Sequence, residues 1–240
     1  MIKTYDSPTA AHDSSTAAHD SSALTPAEAV RAWVAGWSVS RGAPAPVEVP
    51  GGYRIDVGLP GHVRRYVLPE ADPAVLRDLV AAATEPGTWI KVCAPAGRVT
   101  PALTPRWEVQ DPEFMMTTTL RPADVTAPDG YTVRTVTAGG VTEAEVRAAD
   151  GSLAASGRTG RTGGVVVFDR IATDAAHRRR GLGSLVMRAL GAAALERGAE
   201  HGVLVATREG LALYGALGWD LRATVTPCVL GAEDGGSRGV

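Results

Sequence analysis

This chain has little of what would set it apart from ordinary globular proteins. It has only two cysteines in 240 residues, Cys93 and Cys228. They stand in separate apolar stretches without metal-ligand spacing, which excludes a disulfide framework and a cysteine-rich zinc site. The expected state is two reduced thiols in a cytoplasmic protein. No run of 18 apolar residues occurs and the first residues lack an apolar core, so neither a spanning helix, a membrane partner nor a secretory leader is expected. An excess of one charge is also missing. The formal net charge is −2, which leaves no broad basic surface for nucleic acid.

The hydrophobic share is 45%, enough for one large core or two modest ones. Residues 9–15 read Thr-Ala-Ala-His-Asp-Ser-Ser and residues 16–22 repeat them. With almost nothing to bury, residues 1–24 are expected to form a disordered tail, and 232–240 a flexible C-terminus. His12, Asp13, His19 and Asp20 fall in that tract without fixed geometry, so no metal is expected.

The most informative stretch is 165–183. Val165 to Thr173 is β-branched and apolar, as a buried strand should be, and from Leu182 apolar residues recur at helical spacing. The joint, Arg178-Arg179-Arg180-Gly181-Leu182-Gly183, puts two glycines where a helix begins. Backbone amides there can approach a ligand without a Cβ in the way. A helix's first turn carries unpaired donors and the positive end of the dipole, which together suit a phosphate.

Arg-x-x-Gly-x-Gly after a strand ending Ile-Ala-Thr-Asp resembles the acyl-coenzyme A signature of the GNAT superfamily of N-acetyltransferases. The sequel is similar as well: a helix Leu182–Arg197 closed by Gly198, a strand Val203–Ala206, then a helix ending Leu-Tyr-Gly-Ala-Leu-Gly-Trp at 213–219. The resemblance covers about 130–230 and implies an α+β, mixed-sheet, GNAT-like acyltransferase fold with an acetyl-CoA-binding domain over 129–231. It implies that backbone groups of Ile171, Ala172 and Thr173 pair with the pantetheine arm where the two strands diverge. The pyrophosphate would lie against Arg178, Arg179, Arg180, Gly181, Leu182, Gly183 and Ser184, and an oxyanion would meet an amide near Ala172 or Thr173. Thr207 stands where the family often has an Asn touching the cofactor. Tyr214 resembles the general acid. For the base, the family often uses a Glu before the Tyr helix. Here that stretch is Glu200-His201-Gly202, and Asp169 is the alternative.

The expected activity is acetyl transfer from acetyl-CoA to a primary amine of a small-molecule acceptor by direct attack, without metal, in a monomer or homodimer. The alternatives are a non-catalytic acyl-CoA-sensing module and a protein or peptide N-acetyltransferase.

The first half is also organised. Thr25-Pro26-Ala27-Glu28 reads as a capping box before an amphipathic helix carrying Val30, Trp33, Val34 and Trp37. Strands Tyr53–Val57 and Val63–Leu68, a helix from Asp72-Pro73 and a strand Trp89–Cys93 follow. That order makes 25–100 look like a degenerate GNAT-like half, with carboxylates Glu70 and Asp72 where phosphates would sit. The prolines of 101–128 read as a linker with one extended piece, Trp107–Leu120. Gly157–Gly164 reads as a hairpin turn. The GNAT family places two helices between its first strands. Here Tyr131–Val136 is followed after four residues by Val141–Ala149, so helix Thr25–Trp37 is expected to supply the missing acceptor-site wall.

Overall fold

A computed structural model describes residues 23–232; the repeat and tail expected over 1–22, and 233–240 of the expected C-terminus, lie outside the described residues. Helix α1 (Pro26–Arg41) opens on the capping box, where the Thr25 amide donates to Glu28 Oε2 at 2.9 Å and the Glu28 amide to Thr25 Oγ1 at 3.3 Å. It runs past Trp37 and stops at Gly42, which takes φ 62°. There follow β1 (Val47–Val49), β2 (Gly52–Leu59), β3 (His62–Leu68), α2 (Pro73–Ala82), β4 (Thr88–Val92), the short α3 (Ala96–Val99), β5 (Trp107–Val109) and β6 (Glu113–Thr119). The second half comprises β7 (Tyr131–Ala138), β8 (Val141–Ala148), β9 (Leu153–Thr162), β10 (Val165–Thr173), α4 (Leu182–Leu195), β11 (His201–Ala206), α5 (Arg208–Ala216) and β12 (Asp220–Leu230).

The strands form one mixed sheet in the order β1-β2-β3-β4-β12-β6-β11-β10-β9-β8-β7, with β5 beside β12. Its two parallel pairs, β3 with β4 and β10 with β11, are joined through α2 and α4. Residues 101–128 are therefore not a linker. They hold β5 and β6, and β6 lies in mid-sheet, paired with β11 on one side and β12 on the other. Pro112, which cannot donate to a ladder, divides the expected single extended piece into these two strands. β12 crosses the seam. Asp220–Val225 pairs with β6 and Thr226–Val229 with β4, so the C-terminal strand completes the sheet of the N-terminal half.

The faces of β10 alternate as a strand's should. Val166 and Phe168 pack with Leu185 and Leu190 of α4, whereas Val167 packs on the opposite face with Val30 and Val34 of α1. The α1 core also takes Ile55 and Val67 from the first half and Val203 from the second. A third core forms where Leu76 and Val80 of α2 cover Leu68, Ile90 and Val92.

The segment Gly157–Gly164 is a turn only at its end. β9 continues to Thr162, and Gly163-Gly164 alone turns the chain into β10. Gly157 and Gly160 serve opposite faces of the strand. A Cβ at Gly157 would lie 2.8 Å from Val186 Cγ1 of α4, and one at Gly160 would fall on the Gly36 carbonyl oxygen and 2.7 Å from the Ser40 nitrogen of α1. Helix backbone cannot yield there without lifting α1. Gly160→Ala should lower stability by about 1–3 kcal/mol, the usual cost of overpacking. Gly164→Ala, with no atom within 4 Å of the new methyl, should stay within about 0.5 kcal/mol. Denaturant midpoints at constant slope measure both.

Candidate active site

The two central strands of the second half part. β10 and β11 pair in parallel only from Val165–Val167 against His201–Val203, although they continue to Thr173 and Ala206. A bulge helps to separate them. Between Asp169 and Ala172 three steps of β10 oppose two of β9, Arg158 to Ser156, and Arg170 takes φ 53°. Beyond Val167, β10 has a strand neighbour on one side only, so backbone groups face the opening.

At its mouth stands the N-terminus of α4. Gly181 caps it at φ 75° with no side-chain hydrogen bond, leaving the first amides free of a protein side chain. A Cβ at Gly183 would lie 3.5 Å from Thr173 Oγ1 and 3.6 Å from Leu213 Cδ2, which places this first turn between β10 and α5. Arg178, Arg179 and Arg180 are exposed around it. Arg180 donates to the Tyr131 hydroxyl at 2.9 Å, and Arg179 takes φ 63°. Leu182 is 1% exposed, so it has only its backbone to offer a ligand.

The corresponding crossover of the first half lacks both features. β3 and β4 stay paired from Arg64–Leu68 against Thr88–Val92, and Asp72 accepts the Ala74 and Val75 amides at 2.8 and 3.1 Å. The strands do not part, and a carboxylate already occupies the helix end.

On the α1 face of the opening lies a cavity of about 330 Å³. Tyr214 of α5 is half-buried on its wall, with its ring 6.2 Å from that of Trp219. Burial pushes its phenol up, so the hydroxyl stays protonated at neutral pH. Asp169 shares the wall but is engaged. It pairs with Arg41, whose Nη2 donates at 2.7 Å, and accepts from Ser40 Oγ at 2.9 Å. Burial raises the Asp169 carboxyl, but the Arg41 hydrogen bond and charge, with Ser40, outweigh it and hold the group below the carboxylate range. It ties α1 to β10. A carboxylate this well satisfied is a weak base.

Glu200 and His201 stand elsewhere. The Glu200 amide donates to Gly164 at 2.8 Å and His201 lies opposite Val165, at the closed end of the parallel ladder. Thr207 lines the cavity, but its hydroxyl caps α5 by accepting the Gly210 amide at 3.3 Å. Burial pushes the Cys93 and Cys228 thiols up to about 12 and about 11, which leaves neither as a nucleophile.

Helix α1 lines this cavity through Trp33, Trp37 and Arg41. Sequence reading missed charged residues of the lining, among them Arg65 of β3, Lys91 of β4 and Glu113 of β6. Lys91 pairs with Glu113, and burial pushes its amine down to about 8. Arg65 is 8% exposed, with its guanidinium 4.2 Å from the Trp37 ring. The signal available was a charged residue within a buried apolar strand, as in Trp-Ile-Lys-Val-Cys at 89–93. Among the described residues, no cluster of three or more His, Cys, Asp or Glu is placed to hold a metal ion, and no helix is long and apolar enough to cross a membrane.

The acetyltransferase (GNAT) family model matches residues 140–219. A GCN5-related N-acetyltransferase from Kribbella flavida superposes with TM-score 0.59 at 18% identity, over 82% of this chain and 93% of that one. A GNAT-family acetyltransferase structure from Novosphingobium aromaticivorans gives 0.56 at 20% identity, over 85% and 99%. At these identities the likeness is one of fold. No curated protein sequence matches significantly.

Proposed function

The C-terminal half of this chain is a GNAT domain, and from that premise we propose that the protein is an N-acetyltransferase, moving an acetyl group from acetyl-CoA to a primary amine of a small-molecule acceptor by direct attack. The observation that carries the reading is the parting of β10 and β11 beside an uncapped α4 N-terminus. These features fit a pantetheine arm and a pyrophosphate, and the first half lacks them.

Bound acetyl-CoA would supply an acyl group activated as a thioester. The amides of Gly181 to Ser184, with Arg178 to Arg180, would hold its pyrophosphate through the helix dipole and charge-assisted hydrogen bonds. Ile171 to Thr173 would receive the pantetheine amides as an added strand. An amide near Ala172 or Thr173 would stabilise charge on the carbonyl oxygen. Tyr214, protonated and on the cavity wall, would donate to the departing sulfur. Arg41 would hold Asp169 as part of the wall, leaving the amine to arrive neutral from solution and, after attack, to release its proton to water, from which the Tyr214 phenol is reprotonated.

Acetyl-CoA incubated with a panel of small primary amines should release free thiol in step with acetylated amine, detected by mass spectrometry. Thiol release no faster than hydrolysis across the whole panel, from a protein that binds acetyl-CoA, would overturn the proposal.

A further inference from the structure

The cavity beside Tyr214 holds more positive charge than its own carboxylates neutralise. Asp169 closes on Arg41 and Glu113 on Lys91. Arg65 remains. Its guanidinium forms no ion pair or hydrogen bond among the described residues, and its Nε is fully enclosed without a partner. Glu113 and Asp169 attract Arg65 through space, but each closes on another cation, so the Arg65 donors stay unpaired where buried donors are normally satisfied. Burial pushes Arg65 down only to about 10, so it is charged at neutral pH. The Trp37 and Trp33 rings, 4.2 and 5.7 Å from Cζ, hold it on one side. Its remaining side faces the cavity.

We infer that Arg65 is the anchor for a carboxylate on the acceptor, so that the amine acetylated here belongs to an amino-acid-like molecule; this rests on the acetyltransferase reading of the site. Charge balance favours a monoanion. One buried cation without an ion pair faces a cavity that already contains two carboxylates, Asp169 and Glu113, which would repel a phosphate dianion. Shape agrees, because a guanidinium presents a planar fork to a planar carboxylate. The coenzyme's phosphates do not compete for this position, since no residue of the α4 first turn lines the cavity. A volume of about 330 Å³ suits a small acceptor. The one other cation on the lining, Arg170, is exposed.

The test uses calorimetry with N-acetyl amino acids and the matching N-alkylacetamides that lack the carboxylate. At least one acid should bind wild-type protein, and its carboxylate-free partner at least ~100-fold more weakly, the scale of a lost charge-assisted pair. Arg65→Met should weaken the acid about as much and leave the acetamide unchanged. Arg65→Lys, which retains charge and loses the fork, should fall between. Acetyl-CoA affinity should persist in both variants, and both should stay folded, because Asp169 and Glu113 keep their ion pairs with Arg41 and Lys91. Equal binding of acid and acetamide would overturn the inference. So would unaltered acid binding in Arg65→Met, absence of binding by every acid, or preference for phosphate monoesters. Acetylation of carboxylate-free amines as efficient as that of amino acids would remove the acceptor assignment while leaving acetyl transfer intact. Carboxylate binding through Arg65 without acetylation of any amine would remove acetyl transfer and leave the anion site.

Discussion

Replacing Gly183 with Glu is expected to abolish coenzyme A binding in a protein that stays folded. Gly183 is the second residue of α4, outside the left-handed region, and a Cβ there meets only ordinary contacts at 3.5 and 3.6 Å. The substitution therefore introduces no clash. It replaces a residue that is poor within helices, and it places an acidic group in the first turn, where the dipole favours one by about 0.3–1 kcal/mol. Melting temperature should hold or rise. The new carboxylate competes for the amides that would hold the pyrophosphate and repels its charge. Each hydrogen bond to a charged group is worth about 1.5–3 kcal/mol, so losing two corresponds to an affinity drop of roughly 100-fold or more. Gly181→Glu should also fail to bind but is less clean, because Gly181 sits at φ 75° and a side chain there adds strain of about 1 kcal/mol. Asp72→Ala, which uncaps α2, should leave affinity unchanged. Wild-type affinity in folded Gly183→Glu, or a large loss in Asp72→Ala, would move the cradle to another part of the molecule.

The second large effect is expected from Tyr214→Phe. The ring lies close to Gly210, where a Cβ would come within 2.9 Å of Tyr214 Cε2, and faces Trp219; phenylalanine keeps both contacts. The hydroxyl has no protein hydrogen bond among the described residues to lose, so stability should change by less than about 1 kcal/mol. Coenzyme A affinity should hold, since the α4 amides are untouched. The chemical step should slow by roughly 10²–10⁴ if the phenol is the proton donor. A phenol begins near pKa 10 and a thiol near 8.5, and burial raises the phenol further, so the donor remains loaded at neutral pH. Single-turnover rates are the readout, because product release can mask chemistry in kcat. An unchanged single-turnover rate in a folded, cofactor-binding variant would leave Tyr214 as packing alone.

What could be read along the chain was local. The joint Arg178–Gly183 was legible because the backbone itself, two glycines opening a helix after an apolar strand, sets the requirement. The capping box at Thr25–Glu28 and the short connection at Thr137–Gly140 were legible for the same reason: each lies within a few residues, and β7 and β8 indeed meet through Gly139 and Gly140, both at positive φ. The wall expected from the first helix followed from that missing space. Gly157 and Gly160 were misread because composition shows turn residues, whereas their cause is the approach of α4 and α1 from opposite faces. The stretch 101–128 was misread because its prolines flank β6 and say nothing of its pairing partners. Arg41, Arg65, Lys91, Glu113 and Asp169 were not seen as one lining. They come from α1, β3, β4, β6 and β10, and only the strand order, with β12 crossing the seam and β6 inserted beside it, brings them to one cavity. Local propensity is blind to such pairings between distant segments, so the sequence by itself determined the glycine joint that opens α4 and the tyrosine on α5, while the tertiary sheet decided which charges close on each other and that Arg65 is left without an ion pair.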